Sequence, residues 1–202
     1  MREKLCKSMM NYWKEKINYI SELDLFSILD KKCKNYLNNP LLLGVGKEGF
    51  VYKDGDLVKK FILNWSLIPS YRPNIDQTFN YLNNFNCKIK ESEYFYKYHV
   101  KKIDRNILLI EYPFEESKTL SNLMLKENWN ILYKNQVIEI INEMTKSKYI
   151  TVNMTVKNFI LVNEKLKFID YGRDILPLEI GTSQIIRMYF MLLNDIYFLG
   201  TL

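Results

Sequence analysis

Hydrophobic and polar positions change their spacing several times along the chain, and each change marks an expected element. Between residues 8 and 37, apolar side chains recur every three or four positions among charged ones, which predicts one or two amphipathic helices. The run Asn38–Pro40 ends that pattern. Residues 50–62 then alternate on either side of Asp54-Gly55, which predicts a β-hairpin with a two-residue turn.

The rest of the chain continues as a mixture of helices and strands. The expected elements are a helix over 74–85, strands over 93–102 and 105–114, helices over 119–128 and 133–147, a hairpin within 158–172 and an apolar helix over 185–202. Arg187, Asn194 and Asp195 interrupt the last stretch, so we expect a buried helix there rather than a membrane span. The order predicts an α+β fold, with a mainly antiparallel sheet followed by a mainly helical half.

Composition narrows the class of partner. Apolar residues make up 48% of the 202 positions and aromatic residues 14%, which is enough for a sizeable core. The net charge of +6 favours anionic partners such as nucleotide phosphates, nucleic acid or acidic lipid. The lysines are scattered rather than grouped into a basic stripe with aromatic residues, so direct binding of nucleic acid is not expected.

Cysteine and histidine usage excludes several kinds of site. The three cysteines are far apart and form no C-x-x-C pair, which favours a reducing cytoplasmic setting over a disulfide framework. The one histidine, His99, leaves little room for a zinc site, and we expect no catalytic role for it. The first residues lack the apolar core of a secretory signal.

Three of the seven glycines, Gly44, Gly46 and Gly49, fall within six residues. This spacing occurs in dinucleotide-binding folds, in phosphate-covering loops and in plain turns. A dinucleotide fingerprint needs a helix directly after the glycines. Here the following residues predict a strand, a tight turn and another strand, which excludes the dinucleotide fingerprint.

Together with motifs farther along the chain, this loop resembles the glycine-rich loop of the protein-kinase-like superfamily. The matching stretch runs from Leu42 to Val51, and the resemblance implies that Val51 lies over an adenine ring. Glycines let such a hairpin close over phosphates without Cβ clashes. Lys59 and Lys60 stand near the family's third-strand lysine. Because neighbouring strand residues point to opposite faces, only one can reach the phosphates, and the family pattern favours Lys59.

The resemblance extends to the hinge and the catalytic loop. Residues 109–114 match the hinge, where backbone groups at Glu111 would hold the adenine. Asn158 matches the asparagine of the catalytic loop, and the tripeptide 170–172, Asp-Tyr-Gly, takes the place of the D-F-G motif. The resemblance implies that Asn158 and Asp170 hold Mg²⁺ against the phosphates, since this cation prefers oxygen ligands.

Several departures from the family pattern bear on activity. Asn153 stands where the family has its catalytic Asp, and Thr151 where it has a histidine. A neutral amide can orient a substrate hydroxyl but cannot accept its proton. No Glu follows that could pair with the strand lysine, so the shorter Asp76 is the expected substitute. The 30 residues after Gly172 leave no room for a full helical lobe, which is similar to compact microbial members, such as lipopolysaccharide-kinase-like and RIO-like proteins.

The resemblance implies a two-lobed protein-kinase-like fold. We expect residues 1–39 to form a helical extension that offers a docking surface for a protein partner. Residues 40–114 would form a sheet-rich N-lobe and residues 115–202 a reduced helical C-lobe.

The leading interpretation is an ATP- and Mg²⁺-dependent phosphotransferase acting on a hydroxyl of a sugar, a glycolipid or a small molecule. Lys59 would fix the phosphates and Asn153 would orient the acceptor hydroxyl. Asn153 leaves further readings open. The kinase is impaired naturally, or it carries an introduced Asp-to-Asn change that traps a substrate complex, or the chain is a pseudokinase that binds nucleotide or a partner as a scaffold.

Overall fold

A computed structural model of the chain describes residues 29–46, 48–63, 73–89, 91–124 and 131–180. Their elements confirm the expected α+β class, with a five-stranded antiparallel sheet, two small strand pairs and several helices. The residues before 29 and the helix expected over 185–202 lie outside the described residues. No helix among the described residues is long and apolar enough to cross a membrane.

The contacts among these residues divide them into two compact units, and each is described by itself. The first unit comprises the residues up to Asp76 together with His99–Phe114. The second comprises Gln77–Tyr98 and the residues from Glu115 onward. The segment Gln77–Tyr98, which the sequence assigned to the first lobe, therefore belongs to the second unit by its contacts.

The first unit is built on the five-stranded sheet. Its strands are β1 (Pro40–Gly46), β2 (Gly49–Asp54), β3 (Leu57–Leu63), β4 (His99–Asp104) and β5 (Ile107–Pro113). They lie in the order β1-β2-β3-β5-β4, and every neighbouring pair is antiparallel.

The β2–β3 hairpin is confirmed, with its turn one residue later than expected. Asp54 pairs with Leu57, so the two turn residues are Gly55 and Asp56. Gly55 has a φ of +62°, a left-handed conformation that glycine adopts without a steric cost. A two-residue turn fixes which residues of the two strands share a face, and the pairing of Val51 with Lys60 follows from it.

One face of the sheet, which we term the core face, is covered by the helical residues 29–34. The core face carries the buried side chains of Phe50, Tyr52, Phe61, Leu63, Ile107 and Leu109. Residues 29–34 are helical, and Cys33 from this segment is buried among those side chains. Burial raises the pKa of the Cys33 thiol to about 12, which keeps it protonated and unreactive. Residues 29–37, which the sequence assigned to an extension, therefore contribute to the core of the first unit.

In the described part of the chain, the second unit contains three helices of defined bounds and two strand pairs, and residues 178–180 are also helical. The helices are α1 (Ile75–Lys88, whose first two residues belong to the first unit), α2 (Leu120–Met124) and α3 (Ile131–Lys146). The strands are β6 (Tyr149–Thr151), β7 (Phe159–Val162), β8 (Lys165–Phe168) and β9 (Ile175–Pro177). β6 pairs with β9 and β7 with β8, both antiparallel, and a 3₁₀ turn over Val156–Asn158 leads into β7.

The strand expected over 93–102 is shorter in the structure, because β4 begins at His99. The residues before it bond to other partners. The Tyr94 carbonyl accepts the Phe168 N–H at 2.9 Å, and the Asn86 side chain bonds to both backbone groups of Tyr98. The aromatic residues between 94 and 98 therefore belong to the second unit and do not extend strand β4 of the first.

Replacing Gly49 with alanine should destabilise the first unit strongly. Its φ is +152°, and a Cβ built there would lie 1.9 Å from the Phe61 carbonyl oxygen. We expect Gly49→Ala to lower the free energy of unfolding by at least about 2 kcal/mol, measured by urea denaturation. Gly46→Ala is the matched control, since its Cβ would meet no described atom within 4 Å. An equally stable Gly49→Ala protein would contradict this geometry.

Candidate functional site

Three of the predicted site residues converge in the second unit. The Asn158 side chain donates from Nδ2 to the Asn153 carbonyl oxygen at 2.6 Å and to Asp170 Oδ2 at 3.0 Å. One amide therefore joins the residue at the expected base position to the residue at the expected metal position. We refer to these three residues as the Asn158 bridge.

The β7–β8 hairpin is what brings the two ends of this cluster together. Phe159 pairs with Phe168, so the residues just outside them, Asn158 and Ile169, lie opposite each other. The Ile169 N–H donates to the Asn158 carbonyl oxygen at 2.9 Å, which extends the pairing by one step. Asp170 follows immediately, and the 12-residue interval between Asn158 and Asp170 is thus the length of one closed hairpin.

The loop between β6 and β7 positions the remaining member. The Asn153 N–H donates to Thr151 Oγ1 at 3.3 Å, and the Asn158 N–H donates to the Thr155 carbonyl oxygen at 2.9 Å. Thr151 and Met154 are buried, whereas Asn153 is exposed. The loop is therefore anchored by its buried residues and presents the Asn153 side chain to solvent.

The donor set of the Asn158 bridge suits a hard cation. Both Nδ2 bonds fix the Asn158 amide so that its oxygen is the atom left as a ligand, beside the Asp170 carboxylate. Amide and carboxylate oxygens fit Mg²⁺, which commonly keeps waters or phosphate oxygens as its other ligands. No three His, Cys, Asp or Glu side chains converge into a metal cluster among the described residues. A cation here would thus depend on a phosphate-bearing ligand.

The glycine loop lies in the first unit, at the β1–β2 connection. Gly49 is required by the sheet itself, as its contact with Phe61 shows. Gly44 and Gly46 are different, because a Cβ at either would meet no described atom within 4 Å and neither has a positive φ. The described structure thus gives no steric reason for glycine at these two positions, while a closely approaching ligand would. Lys47, at the tip, lies outside the described residues.

Lys59 is held by acidic groups on the core face. Its ammonium lies 2.9 Å from Asp54 Oδ2 and 3.5 Å from Glu111 Oε1, and it donates to the Tyr36 carbonyl oxygen at 3.3 Å. The side chains of Lys59 and Asp54 are only 12% and 4% exposed. Asp54 also accepts the backbone N–H groups of Asn38 at 3.0 Å and Asn39 at 2.7 Å. This ion pair therefore ties the chain entering β1 to the β2–β3 hairpin.

The pKa values follow from that arrangement. Burial alone would raise the pKa of the Asp54 carboxyl, but hydrogen bonds from Lys59 and from the Asn39 and Asn38 backbones outweigh it and lower the pKa. Burial alone would lower the pKa of Lys59, but the hydrogen bond and charge of Asp54, with those of Glu111, raise it. Both groups stay charged at neutral pH.

Val51 and Lys59, both predicted to contact nucleotide, lie on opposite faces of the sheet. Val51 pairs with Lys60, and Lys60 pairs with Ile110 on β5, so these three share the face opposite the core face. Lys60 is half-buried there. The sequence interpretation weighed both lysines and favoured Lys59, whereas the strand register places Lys60 on the face of Val51. The signal was available, because any two-residue turn after Asp54 places residues 51 and 60 on one face.

Two further predicted residues have partners within the first unit. Asp76, expected to pair with the strand lysine, forms an ion pair with Lys102 instead, so that expectation is wrong. Glu111 turns its carboxylate to Lys59, and β4 begins opposite it at His99. Strand pairing on the β4 side therefore ends at Glu111, where the hinge was predicted.

Comparison with known proteins gives a likeness in fold. No protein-family model and no curated protein matches the sequence. A co-crystal structure of WbdD with the kinase inhibitor LY294002 matches with a TM-score of 0.52 and 12% identity, over 79% of this chain and 37% of that one. A high-resolution structure of WbdD matches with a TM-score of 0.49 and 13% identity, over 74% of this chain and 35% of that one. A structure described as the bifunctional kinase-methyltransferase WbdD matches with a TM-score of 0.46 and 13% identity, over 72% of this chain and 34% of that one.

The first of these matches supports the expected fold class. The chain has a kinase-like α+β fold, although it spans little more than a third of the structures it resembles. At this identity the likeness concerns the fold and not the activity. The assignment to a compact microbial subtype stays a prediction.

The Asp54–Lys59 pair should make folding stability depend on pH. Because the Asp54 pKa is lowered in the folded state, its contribution is complete above the ordinary value of 3.8 and is lost as pH falls through the folded value. We expect Asp54→Asn to cost about 2 kcal/mol at pH 7 and less at pH 3, measured by urea denaturation. Asp104→Asn, which removes an exposed pair with Lys32, should change stability far less. An equal cost at both pH values would rule out the role of the charge.

Proposed function

We propose that this protein is an ATP- and Mg²⁺-dependent phosphotransferase that acts on a hydroxyl group of a sugar, a glycolipid or a small molecule. The observation that carries the proposal is the Asn158 bridge, in which Asn153, Asn158 and Asp170 meet at the end of one hairpin. The kinase-like fold supports it.

The Asn158 bridge provides two oxygen ligands and a position for the acceptor. Asn158 and Asp170 would hold the cation, and bound Mg²⁺ would neutralise charge on the phosphate groups during transfer. The exposed Asn153 side chain would orient the acceptor hydroxyl by a hydrogen bond. Positioning of this kind accounts for most of the catalysis in phosphoryl transfer, since the protein has little covalent chemistry to perform.

We assign the phosphate-contacting role to Lys60 rather than Lys59. Lys60 shares its sheet face with Val51, the residue proposed to lie over adenine, and with Ile110. Lys59 is already held by Asp54 and Glu111 on the core face, where moving it would break a buried ion pair. Gly44 and Gly46 would let the loop backbone approach the phosphates, because neither position needs a side chain for packing.

A pseudokinase scaffold is the second candidate, and the uncharged Asn153 favours it. Without a carboxylate at this position, the acceptor proton has no built-in base and transfer slows. In that case the same residues would bind nucleotide, or support the fold alone, and the protein would act through a partner.

The two lysines provide a matched test of the nucleotide site. Mg²⁺·ATP at a hundredfold excess over its Kd should stabilise the protein by about 2.7 kcal/mol, seen as a rise in Tm. We expect Lys60→Met to lose most of this rise. Lys59→Met should lower the ligand-free Tm and keep the rise. The reverse pattern would return the phosphate role to Lys59.

In this test, Asp170→Ala serves as the control for the metal. It should abolish the part of the stabilisation that depends on Mg²⁺. If ATP stabilises none of these proteins, the nucleotide site proposed here is wrong.

Restoring a carboxylate at position 153 separates the enzyme from the scaffold. We expect Asn153→Asp to raise the rate of phosphoryl transfer by about 10²–10⁴, the usual contribution of a positioned general base. The measurement is transfer from labelled ATP to a panel of sugars, glycolipids and small alcohols. Asn153→Asp combined with Asp170→Ala should be inactive. If Asn153→Asp binds Mg²⁺·ATP and still transfers nothing, the scaffold candidate is favoured.

A further inference from the structure

Tyr171 follows directly after Asp170 and is fully buried in the second unit. Its hydroxyl oxygen accepts the Tyr96 N–H at 2.8 Å, and the hydroxyl lies 3.5 Å from the Tyr96 carbonyl oxygen. Both backbone groups of one residue therefore face a single phenol. Burying a phenol hydroxyl costs free energy unless protein hydrogen-bond partners replace the water that it loses.

The ring of Tyr171 is fixed as firmly as its hydroxyl. Its ring centroid lies 4.4 Å from that of Tyr98 and 5.8 Å from that of Phe168, whose ring is at 89° to it. These contacts would hold a phenylalanine in the same position. The hydroxyl is therefore the part of Tyr171 whose effect can be separated from packing.

The segment that Tyr171 bonds to is itself clamped to α1. Asn86 donates from Nδ2 to the Tyr98 carbonyl oxygen at 2.6 Å and accepts the Tyr98 N–H at 3.3 Å. Tyr96 thus belongs to a stretch of backbone that α1 holds in place, and it gives the Tyr171 hydroxyl a rigid partner.

Asp170 is consequently fixed from both sides. On one side the Ile169 N–H bonds to the Asn158 carbonyl oxygen at 2.9 Å, and on the other Tyr171 bonds to Tyr96. Residues 170–172 have no regular secondary structure that would otherwise set their dihedral angles. The two tethers therefore restrict the backbone of Asp170, and with it the direction of the carboxylate.

We propose that Tyr171 is a positioning residue, whose hydroxyl holds Asp170 against the Asn158 bridge through its bonds to Tyr96. The inference deepens the proposed function and rests on it where it concerns the metal. Tyr171 touches neither substrate nor cation in this role, and it acts through the adjacent carboxylate. A loop held in this way would present Asp170 to the cation already oriented, so less ordering would be needed on binding.

Tyr171→Phe tests the hydroxyl alone, and Tyr98→Phe is its matched control. Each change removes one phenol hydroxyl from the same buried cluster. Tyr171→Phe removes the bonds to the Tyr96 backbone, and Tyr98→Phe removes the bond that the Tyr98 hydroxyl donates to the Leu82 carbonyl oxygen at 2.7 Å. We expect both variants to fold, with Tm values lowered by a similar few degrees. If the two variants differ in hydrogen exchange or cation binding at Asp170, the difference therefore reflects how Asp170 is positioned and not a general loss of stability.

Two measurements are made on both variants and the unchanged protein. The first is hydrogen exchange at the amides of residues 170–172, which we expect to rise about five- to tenfold in Tyr171→Phe and less than twofold in Tyr98→Phe. The second is the affinity for Mn²⁺ in the presence of ATP, followed by electron paramagnetic resonance. We expect the apparent Kd to rise by roughly fivefold in Tyr171→Phe alone.

The outcomes separate this inference from the function on which it rests. If the unchanged protein binds no Mn²⁺ with ATP, the metal site fails, and exchange at 170–172 still decides whether Tyr171 positions Asp170. If the exchange and the Mn²⁺ affinity are the same in both variants, the hydroxyl has no positioning role. Faster exchange with unchanged Mn²⁺ affinity also overturns the proposal, because the carboxylate would then orient without the tether.

Discussion

The register of the β2–β3 hairpin is the constraint on which the first unit depends. A turn of two residues at Gly55 and Asp56 pairs Tyr52 with Lys59 and Val51 with Lys60. A shift by one residue would exchange the two faces, moving Lys60 onto the core face and Phe61 off it. The same register therefore fixes both the core and the identity of the lysine that accompanies Val51. Gly49 protects it, since no other residue fits against Phe61 at that point.

A second hairpin sets the geometry of the other unit in the same manner. Once Phe159 pairs with Phe168, the residues flanking that pair are opposite each other, and Asn158 reaches Asp170. Neither residue needs a dedicated scaffold, because strand pairing brings them together. The role that we propose for Tyr171 begins where this pairing ends. Beyond Ile169 the pairing of β7 with β8 no longer constrains the chain. There the hydrogen bond between the Tyr171 hydroxyl and the Tyr96 backbone restricts it instead.

How much of this could be predicted depends on the range of the interactions involved. Both hairpins were predictable, because turn chemistry and alternation are local. The convergence of Asn158 and Asp170 followed from hairpin length combined with the family resemblance. The face of Lys60 was also predictable from the turn, but the family pattern of lysine and apolar residues favoured Lys59. Alternation is the stronger guide here, since it follows from backbone geometry.

The remaining features depend on contacts between distant residues. The early part of the strand expected over 93–102 has the right composition, yet its backbone bonds to Phe168, Tyr171 and Asn86. Cys33 lies in an amphipathic helical pattern whose apolar side indicates burial but not the surface that covers it. Asp54 ends a strand and looks like an ordinary turn residue, although it joins Lys59 to the start of β1. No local pattern specifies such partners.

The Asn158 bridge also explains why geometry and activity must be judged separately in this protein. Asn158 bonds to the backbone carbonyl of Asn153, not to its side chain. Aspartate at that position would accept the same bond through the same backbone atom, so the loop has no structural need for either residue. The side chain at 153 can therefore change between amide and carboxylate without disturbing Asn158 or Asp170. It follows that an intact bridge is expected in an active kinase and in a scaffold alike. What differs between them is whether the exposed side chain at position 153 can accept a proton. Asn153→Asp changes only that side chain, so its effect on activity can be separated from any effect on the fold.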